Sequence, residues 1–314
     1  MDLSASLSYS FRSSNIPKIL TIVLIFVIAG VSIFVAAMGL ESLPLMMLLA
    51  PVGLAYALFI SGYTISIIKS VLEGDDELPE FDWIQNLGRG FMIFVANIVY
   101  LLPVIVIFAC AVGMTAAGSA STASRYGNAD DGAMLMFCGS MLLAFGMGII
   151  LMYSFIVAQI RYAVDGSAGS LFNIGKNFSI VMSNIGKTSG HFVRAFALGI
   201  VFSIISSILT TMIRLPFMDM LQDLNYAYAD AINRFSYYGP EYRFDPDIIF
   251  DMGMPLIMFA SIYYVVTLTL SLMQGFSSAH LIAGYGKDLG LGGHSGKSKG
   301  GYIPYDSDDD PYDL

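Results

Sequence analysis

Charge is what this chain has least of. Only 12% of its 314 residues are Asp, Glu, Lys or Arg, while 56% are hydrophobic; a soluble domain carries about 25% charged residues. Such a composition cannot cover a globular surface with polar groups, and it excludes an ordinary water-soluble domain. The other shortages exclude chemistry. Three histidines, His191, His280 and His294, are too scattered for the close spacing of a zinc motif, so neither a metal nor a cofactor is expected. There is no phosphate loop and no nucleophile elbow, and the glycine-rich run from Leu289 to Gly301 lacks the strand-to-helix setting such loops need. Clustered basic residues are missing too. With 15 Lys and Arg against 24 Asp and Glu the net charge is −9, which excludes a nucleic-acid surface. Cysteine is limited to Cys110 and Cys138, and free apolar thiols are the simpler reading of both. The two fall at similar depth in neighbouring antiparallel spans, where they are able to meet.

What the chain has instead is length without charge. Six stretches lack Asp, Glu, Lys and Arg: Ile19 to Gly39, Leu43 to Ile68, Phe91 to Ala117, Ala133 to Ile160, Phe196 to Ile213 and Gly253 to Ala283. About 20 such residues span a hydrocarbon core of about 30 Å, and in lipid each must be helical, because unpaired backbone groups there are costly. The expected fold is therefore all-α, a polytopic transmembrane helical bundle of six spans joined by interfacial connector helices. The first run is longer than a signal-peptide core and no small-residue cleavage pattern follows it. The 19 methionines read as space-fillers in lipid-facing helices.

Lys and Arg placement sets the expected orientation. With the N-terminus inside, the inner segments hold Arg12, Lys18, Lys69, Arg89, Arg161, Lys176, Lys187, Arg194, Lys287, Lys297 and Lys299, and the outer ones only Arg125, Arg214, Arg234 and Arg243. The positive-inside bias puts both termini in the cytoplasm of a multi-pass cell-membrane protein, and acidic residues contribute little to that rule. The expected organisation is a cytoplasmic N-terminal segment at 1–18, a six-helix membrane domain at 19–283 with an acidic outer loop at 214–251, and a disordered glycine-rich, acidic cytoplasmic tail at 284–314.

The connector EGDDELPEFDWIQN, Glu73 to Asn86, is unusually polar for this chain. Pro79 suits the first turn of a helix, and Phe81, Ile84, Leu87 and Phe91 recur at helical spacing. A short interfacial helix from Pro79 to Gly88 is expected, with Pro79, Phe81 and Trp83 as its interfacial anchors. A second connector follows Asp165-Gly166. Leu171, Ile174, Phe178, Val181 and Ile185 form one face, with Asn173, Lys176, Asn177, Asn184 and Lys187 on the other. The two connectors repeat a pattern of span, interfacial helix, span; Asn177-Phe178-Ser179 faces inward on this topology and is no glycosylation site.

Gly62-Tyr63, Leu78-Pro79-Glu80-Phe81-Asp82, Tyr100-Leu101-Leu102-Pro103 and Arg161-Tyr162-Ala163 together resemble a prokaryotic family of polytopic membrane proteins, the domain of unknown function 4013. The likeness runs over about residues 15 to 285 and is most specific from Gly62 to Pro103. It implies the architecture and no mechanism; the long outer loop and the tail lie outside its pattern.

Small residues recur at intervals of four in three spans: Ala109, Gly113 and Ala117; Ser140, Ala144 and Gly148; Gly199, Ser203 and Ser207. Such rows let helix backbones approach closely in lipid. Pro51 and Pro103 are expected to kink their spans. The cores of the spans hold no Asp, Glu, Lys or Arg, which argues against a proton-coupled carrier and a membrane-embedded acid–base enzyme. Asn97, Gln159 and Gln274 are expected to make interhelical hydrogen bonds. In the outer loop, Asp245, Asp247 and Asp251 read as a solvated face, since no calcium-loop pattern surrounds them.

The tail ends YIPYDSDDDPYDL. Its low hydrophobicity predicts disorder in isolation. Tyr302, Tyr305 and Tyr312 offer apolar anchors and Asp308, Asp309 and Asp310 suit a basic partner, so the tail is a candidate docking segment for a cytoplasmic or membrane protein. The expected partners are the lipid bilayer and such a protein. The expected function is a non-enzymatic scaffold or accessory subunit of a membrane complex, with a small-molecule transporter or channel as the alternative. The carboxylates of the first connector lack a partner base or nucleophile, so no enzyme activity is expected.

Overall fold

A chain with no water to satisfy its backbone must satisfy it within helices, and every described element is helical. The computed structural model describes residues 3–39, 47, 49–75, 77–122, 131–219, 222, 223, 226, 229 and 246–292, with side chains except at 33–39, 49, 111, 114–122, 131–137 and 246–258. Helix α1 is Leu3–Phe11 and α2 is Ile16–Gly39, meeting at 60°. They are followed by α3, Leu49–Glu73, and α4, Trp83–Thr122, a single helix of 40 residues. Helix α5 is Asp131–Asp165, α6 Ala168–Phe172, α7 Ile174–Ser183 and α8 Ile185–Arg214, which ends in a 3-10 turn at Leu215–Phe217. The last helix, α9, runs over Pro246–Asp288.

Among the described residues, five helices are long and apolar enough to cross a membrane, and six if the bent pair of α1 with Ile16–Ser32 counts as one span. The uncharged runs fall in α2, α3, α4, α5, α8 and α9, the second only from Leu49 onward. At about 1.5 Å per residue, α4 and α9 are about twice as long as a hydrocarbon core is thick, so both extend beyond it.

Helices α3 and α4 form the tightest pair, and α5, α9 and α2 pack around them, with α8 and α1 on α9. The ends bearing the two connectors, the α1–α2 elbow and the C-terminus of α9 lie together, as Tyr9 to Glu77 and Lys187 to Asp288 hydrogen bonds require. This is called the connector end below. The core sits there: Tyr9, Phe59, Tyr63, Ile67, Ile68, Leu78, Val157, Phe276 and Tyr285 are all buried. Elsewhere the helices show apolar surface, with Leu142, Phe145, Val193, Phe196 and Ile208 exposed, as a lipid solvent demands.

Several expectations change. The first connector has no regular secondary structure from Leu78 to Asp82, and its helix is the beginning of α4 itself. The side chain of Asp82 accepts from the Gln85 amide at 2.9 Å, an N-cap, so the helix starts after Asp82 and not at Pro79. The second connector is broken into α6 and α7 because Asn173 caps α7, accepting from the Lys176 amide at 3.1 Å. Pro51 lies in the first turn of α3, where a missing N–H breaks no helical bond. Residues 3–11, within the expected N-terminal segment, form a helix with Ser6, Tyr9 and Ser10 buried. Gly74, at φ 99°, ends α3 with bonds from its own amide to Val71 and from Asp75 to Ser70. That is a Schellman cap, which needs a left-handed residue. Most of the outer loop, the side chains of Asp245, Asp247 and Asp251, and the tail from 293 onward with Tyr302, Tyr305, Asp308, Asp309, Asp310 and Tyr312 lie outside the described residues.

Candidate functional site at the connector end

Backbone outside regular secondary structure needs hydrogen-bond partners, and the first connector finds them on four other segments: α1, the α1–α2 elbow, α2 and α3. Asn15 at the elbow donates to Tyr9 O at 2.8 Å and accepts from the Leu78 amide at 3.0 Å. Tyr9 donates its hydroxyl to Glu77 O at 3.3 Å, Tyr63 donates to Pro79 O at 2.7 Å, and Lys18 donates to Leu78 O. Aromatic rings fill the space beneath. Trp83 stacks on Phe59 with centroids 4.2 Å apart, and Phe81 meets Tyr63 at 5.2 Å. Pro79, Phe81 and Trp83, expected as interfacial anchors, tie the connector to α3.

The α3–α4 crossing is built on two glycines. A Cβ on Gly62 would stand 1.7 Å from Asn86 O, and one on Gly90 would stand 1.7 Å from Leu58 O. The backbones therefore touch, and just beyond the crossing polar side chains meet. Arg89 Nη1 donates to Ser66 Oγ at 2.8 Å, and Ser66 donates to Asn86 Oδ1 at 2.8 Å. Asn86 is 1% exposed, and its Nδ2 has no hydrogen-bond partner. A cleft opens here in two lobes. The smaller, about 260 Å³, is lined by Ser66, Glu73, Glu80, Asp82 and Asn86 among others. The larger, about 480 Å³, reaches Tyr162, Ala163 and Gly166 on and beside α5. Lys69, Gln85 and Arg89 line both.

A second polar network joins the other connector to the bundle. Arg161 donates to Asn177 Oδ1 at 2.7 Å, while Asn177 Nδ2 donates to Tyr100 OH at 2.8 Å and to Ser170 O at 3.0 Å. Asn177 is fully buried. It leaves the polar face expected from its neighbours because three segments need its amide. Phe178 and Ile185, expected on the apolar face, are exposed. On the α9 side Ser10 donates to Met273 O at 2.7 Å, and Thr188 and Tyr285 share a bond of 2.7 Å. Ser6 and His280 are 3.0 Å apart in the manner of a nucleophile and base, but they are only 0% and 1% exposed, and neither lines the cleft. Their arrangement ties α1 to α9.

Other expected features lie apart from this site. Ala109 and Gly113 are exposed on α4, with open space around a Cβ at Gly113; the side chain of Ala117 lies outside the described residues. Ala144 is buried on α5, Ser140 is half-buried, and a Cβ on Gly148 would reach Val104 at 4.0 Å. On α8, Ser203 and Ser207 are exposed and Gly199 has open space beside it. Asn97 and Gln274, expected to bond between helices, are exposed instead. Cys110 and Cys138 are both free and exposed. No cluster able to hold a metal occurs among the described residues. The sequence reading missed Ser66, Asn86 and Arg89 as a unit. Their shared signal was a glycine one turn away from each partner, Gly62 before Ser66 and Gly90 after Asn86.

Helices of this length and apolar exposure define an integral, multi-pass, all-α membrane protein. The chain belongs to the family described as protein of unknown function (DUF4013), whose model matches residues 45–214. The matched span holds the α3–α4 crossing, the cleft and the Asn177 network, and leaves out α1 and α9. No curated protein and no solved structure matches the chain.

Proposed function

We propose that this protein is a non-enzymatic scaffold or accessory subunit of a membrane complex in the cell membrane. The observation that carries the reading is a set of unused packing surfaces. Ala109, Gly113, Ser203 and Ser207 are exposed, and among the described residues nothing lies within 4 Å of a Cβ at Gly113 or Gly199. Small residues at that spacing serve close helix–helix contact, and a helix of another membrane protein is what such a face receives in lipid. Exposed amides at Asn97 and Gln274 favour the same reading, since a polar side chain facing hydrocarbon is stabilised by an interhelical hydrogen bond. The tail from Tyr302 to Tyr312 supplies a second contact on the cytoplasmic side.

The experiment places a photo-crosslinking residue at Ser203 and, as a control, at Leu142 on the apolar face of α5, and irradiates native membranes. Discrete crosslinked species from Ser203 and none from Leu142 are expected, and Gly199→Leu should abolish them. Equal capture from both positions, or none from either, sinks the scaffold reading. The cleft at Lys69 and Arg89 favours the alternative of a small-molecule transporter or channel. Solute flux through the reconstituted protein that Arg89→Ala removes would establish that alternative.

A further inference from the structure

We propose that the cleft between α3, α4 and α5 binds the phosphate-bearing headgroup of an anionic lipid. Lys69, Arg89 and the free amide nitrogen of Asn86 are its donors. The larger lobe carries two cations, Lys69 and Arg89, and no carboxylate. Arg89 gives one N–H to Ser66, and no carboxylate lies within ion-pair distance of it among the described residues. Lys69 has Glu73 at 3.9 Å, but both side chains are exposed, and an exposed pair of that kind is weak. Glu73, Glu80 and Asp82 line only the smaller lobe, and Asp82 is engaged in capping α4. Asn86 supplies the independent sign of a missing ligand. It lines the smaller lobe, beside the Lys69, Gln85 and Arg89 that both lobes share, and its Nδ2 is buried without a partner, a state that an acceptor oxygen where the lobes meet relieves.

Depth selects a lipid over a free anion. Lys69 and Gln85 lie within one turn of the connector ends of α3 and α4, Arg89 a turn further along, and Ile65 and Met92 deeper still. The lining therefore passes from cationic to apolar along the direction in which an amphiphile enters a bilayer. Phe91, two residues beyond Arg89 on α4, is exposed and apolar, suited to acyl chains. Basic pockets between membrane helices near the surface take anionic headgroups in this way.

The test uses the full chain in a neutral detergent, titrated with phosphatidylglycerol, phosphatidylcholine or inorganic phosphate, with adducts counted by native mass spectrometry. The expected result is a clear preference for phosphatidylglycerol over phosphatidylcholine that falls roughly fivefold for each cation removed. Lys69→Gln and Arg89→Gln should both show it, and millimolar phosphate should neither bind nor compete. Because Arg89 also holds Ser66, the exposed Lys69→Gln variant carries the test if Arg89→Gln does not fold. Lys176→Gln, on α7 outside the cleft, should keep the full preference. An undiminished preference in Lys69→Gln, an equal loss in Lys176→Gln, or binding of phosphate without lipid would each overturn the proposal.

Discussion

At the scale of single residues, this fold depends on positions that have no side chain. Gly62 and Gly90 let α3 and α4 touch through their backbones, and the atoms a new Cβ would strike are the carbonyls of Asn86 and Leu58. A flexible side chain can swing away; a helical carbonyl cannot. Overpacking of a well-packed interior costs about 1–3 kcal/mol, and here the obstruction is backbone, so Gly62→Ala and Gly90→Ala should each fall at the upper end of that range or beyond it. Gly275, in the interior of α9 with nothing within 4 Å of a Cβ, gives the opposite expectation. Alanine there should be neutral or stabilising by up to about 1 kcal/mol, since glycine is the poorer helix former. Thermal unfolding of the three variants in one detergent checks both signs. Equal melting temperatures for Gly62→Ala and Gly275→Ala would show that the crossing is looser than these distances require.

At the scale of elements, the long helices were legible in the sequence and the connectors were not. Some twenty residues without charge have only one way to exist in lipid, so the six runs predicted their helices without any tertiary information. Periodicity misled at Asn177, which sits beside Lys176 in a polar-looking stretch but is buried by Arg161, Tyr100 and Ser170, residues up to 77 positions away. It misled also at Ala109 and Gly113. A small-residue row marks a surface able to pack closely, and does not say whether the partner belongs to the same chain. The first connector was readable as an aromatic anchor and unreadable as a strap, because its partners, Asn15, Tyr9 and Tyr63, come from three different helices or turns. The element-scale prediction follows from that strap. Phe81 and Trp83 pack on Phe59 and Tyr63, and truncating aromatic residues in a core costs about 3–5 kcal/mol each when fully buried. Phe81 is half-buried and Trp83 is exposed, so Phe81→Ser with Trp83→Ser should cost the lower part of that range for the pair. Unfolding in detergent, where the bilayer interface is absent, separates this packing from headgroup anchoring. A double variant as stable as the parent in detergent but depleted from membranes would make the two rings lipid anchors only.

At the scale of the whole molecule, the bundle is polarised. The buried polar side chains among the described residues, from Ser6 to His280, all belong to the connector-end half. The deepest of them, Ser154 and Ser277, lie eleven residues from Asp165 and Asp288, or about 16 Å at 1.5 Å per residue. The same end carries nine of the ten Lys and Arg in the described residues, and Arg214 alone lies at the other. Cations in short loops are retained on the cytoplasmic side during insertion, so the polarity that organises the interior should also fix the orientation. In a parent with Cys110 and Cys138 replaced by Ser, a single cysteine at Ser183, exposed at the C-terminal end of α7, should be protected from an impermeant thiol reagent in intact cells and labelled once the membrane is opened. One at Ser121, near the opposite end of α4, should label in intact cells. The pair is needed because protection alone also results from burial, whereas the reversed pattern, Ser183 labelled and Ser121 protected, has only one reading. It would turn the molecule over and place the Lys69–Arg89 cleft in the outer leaflet.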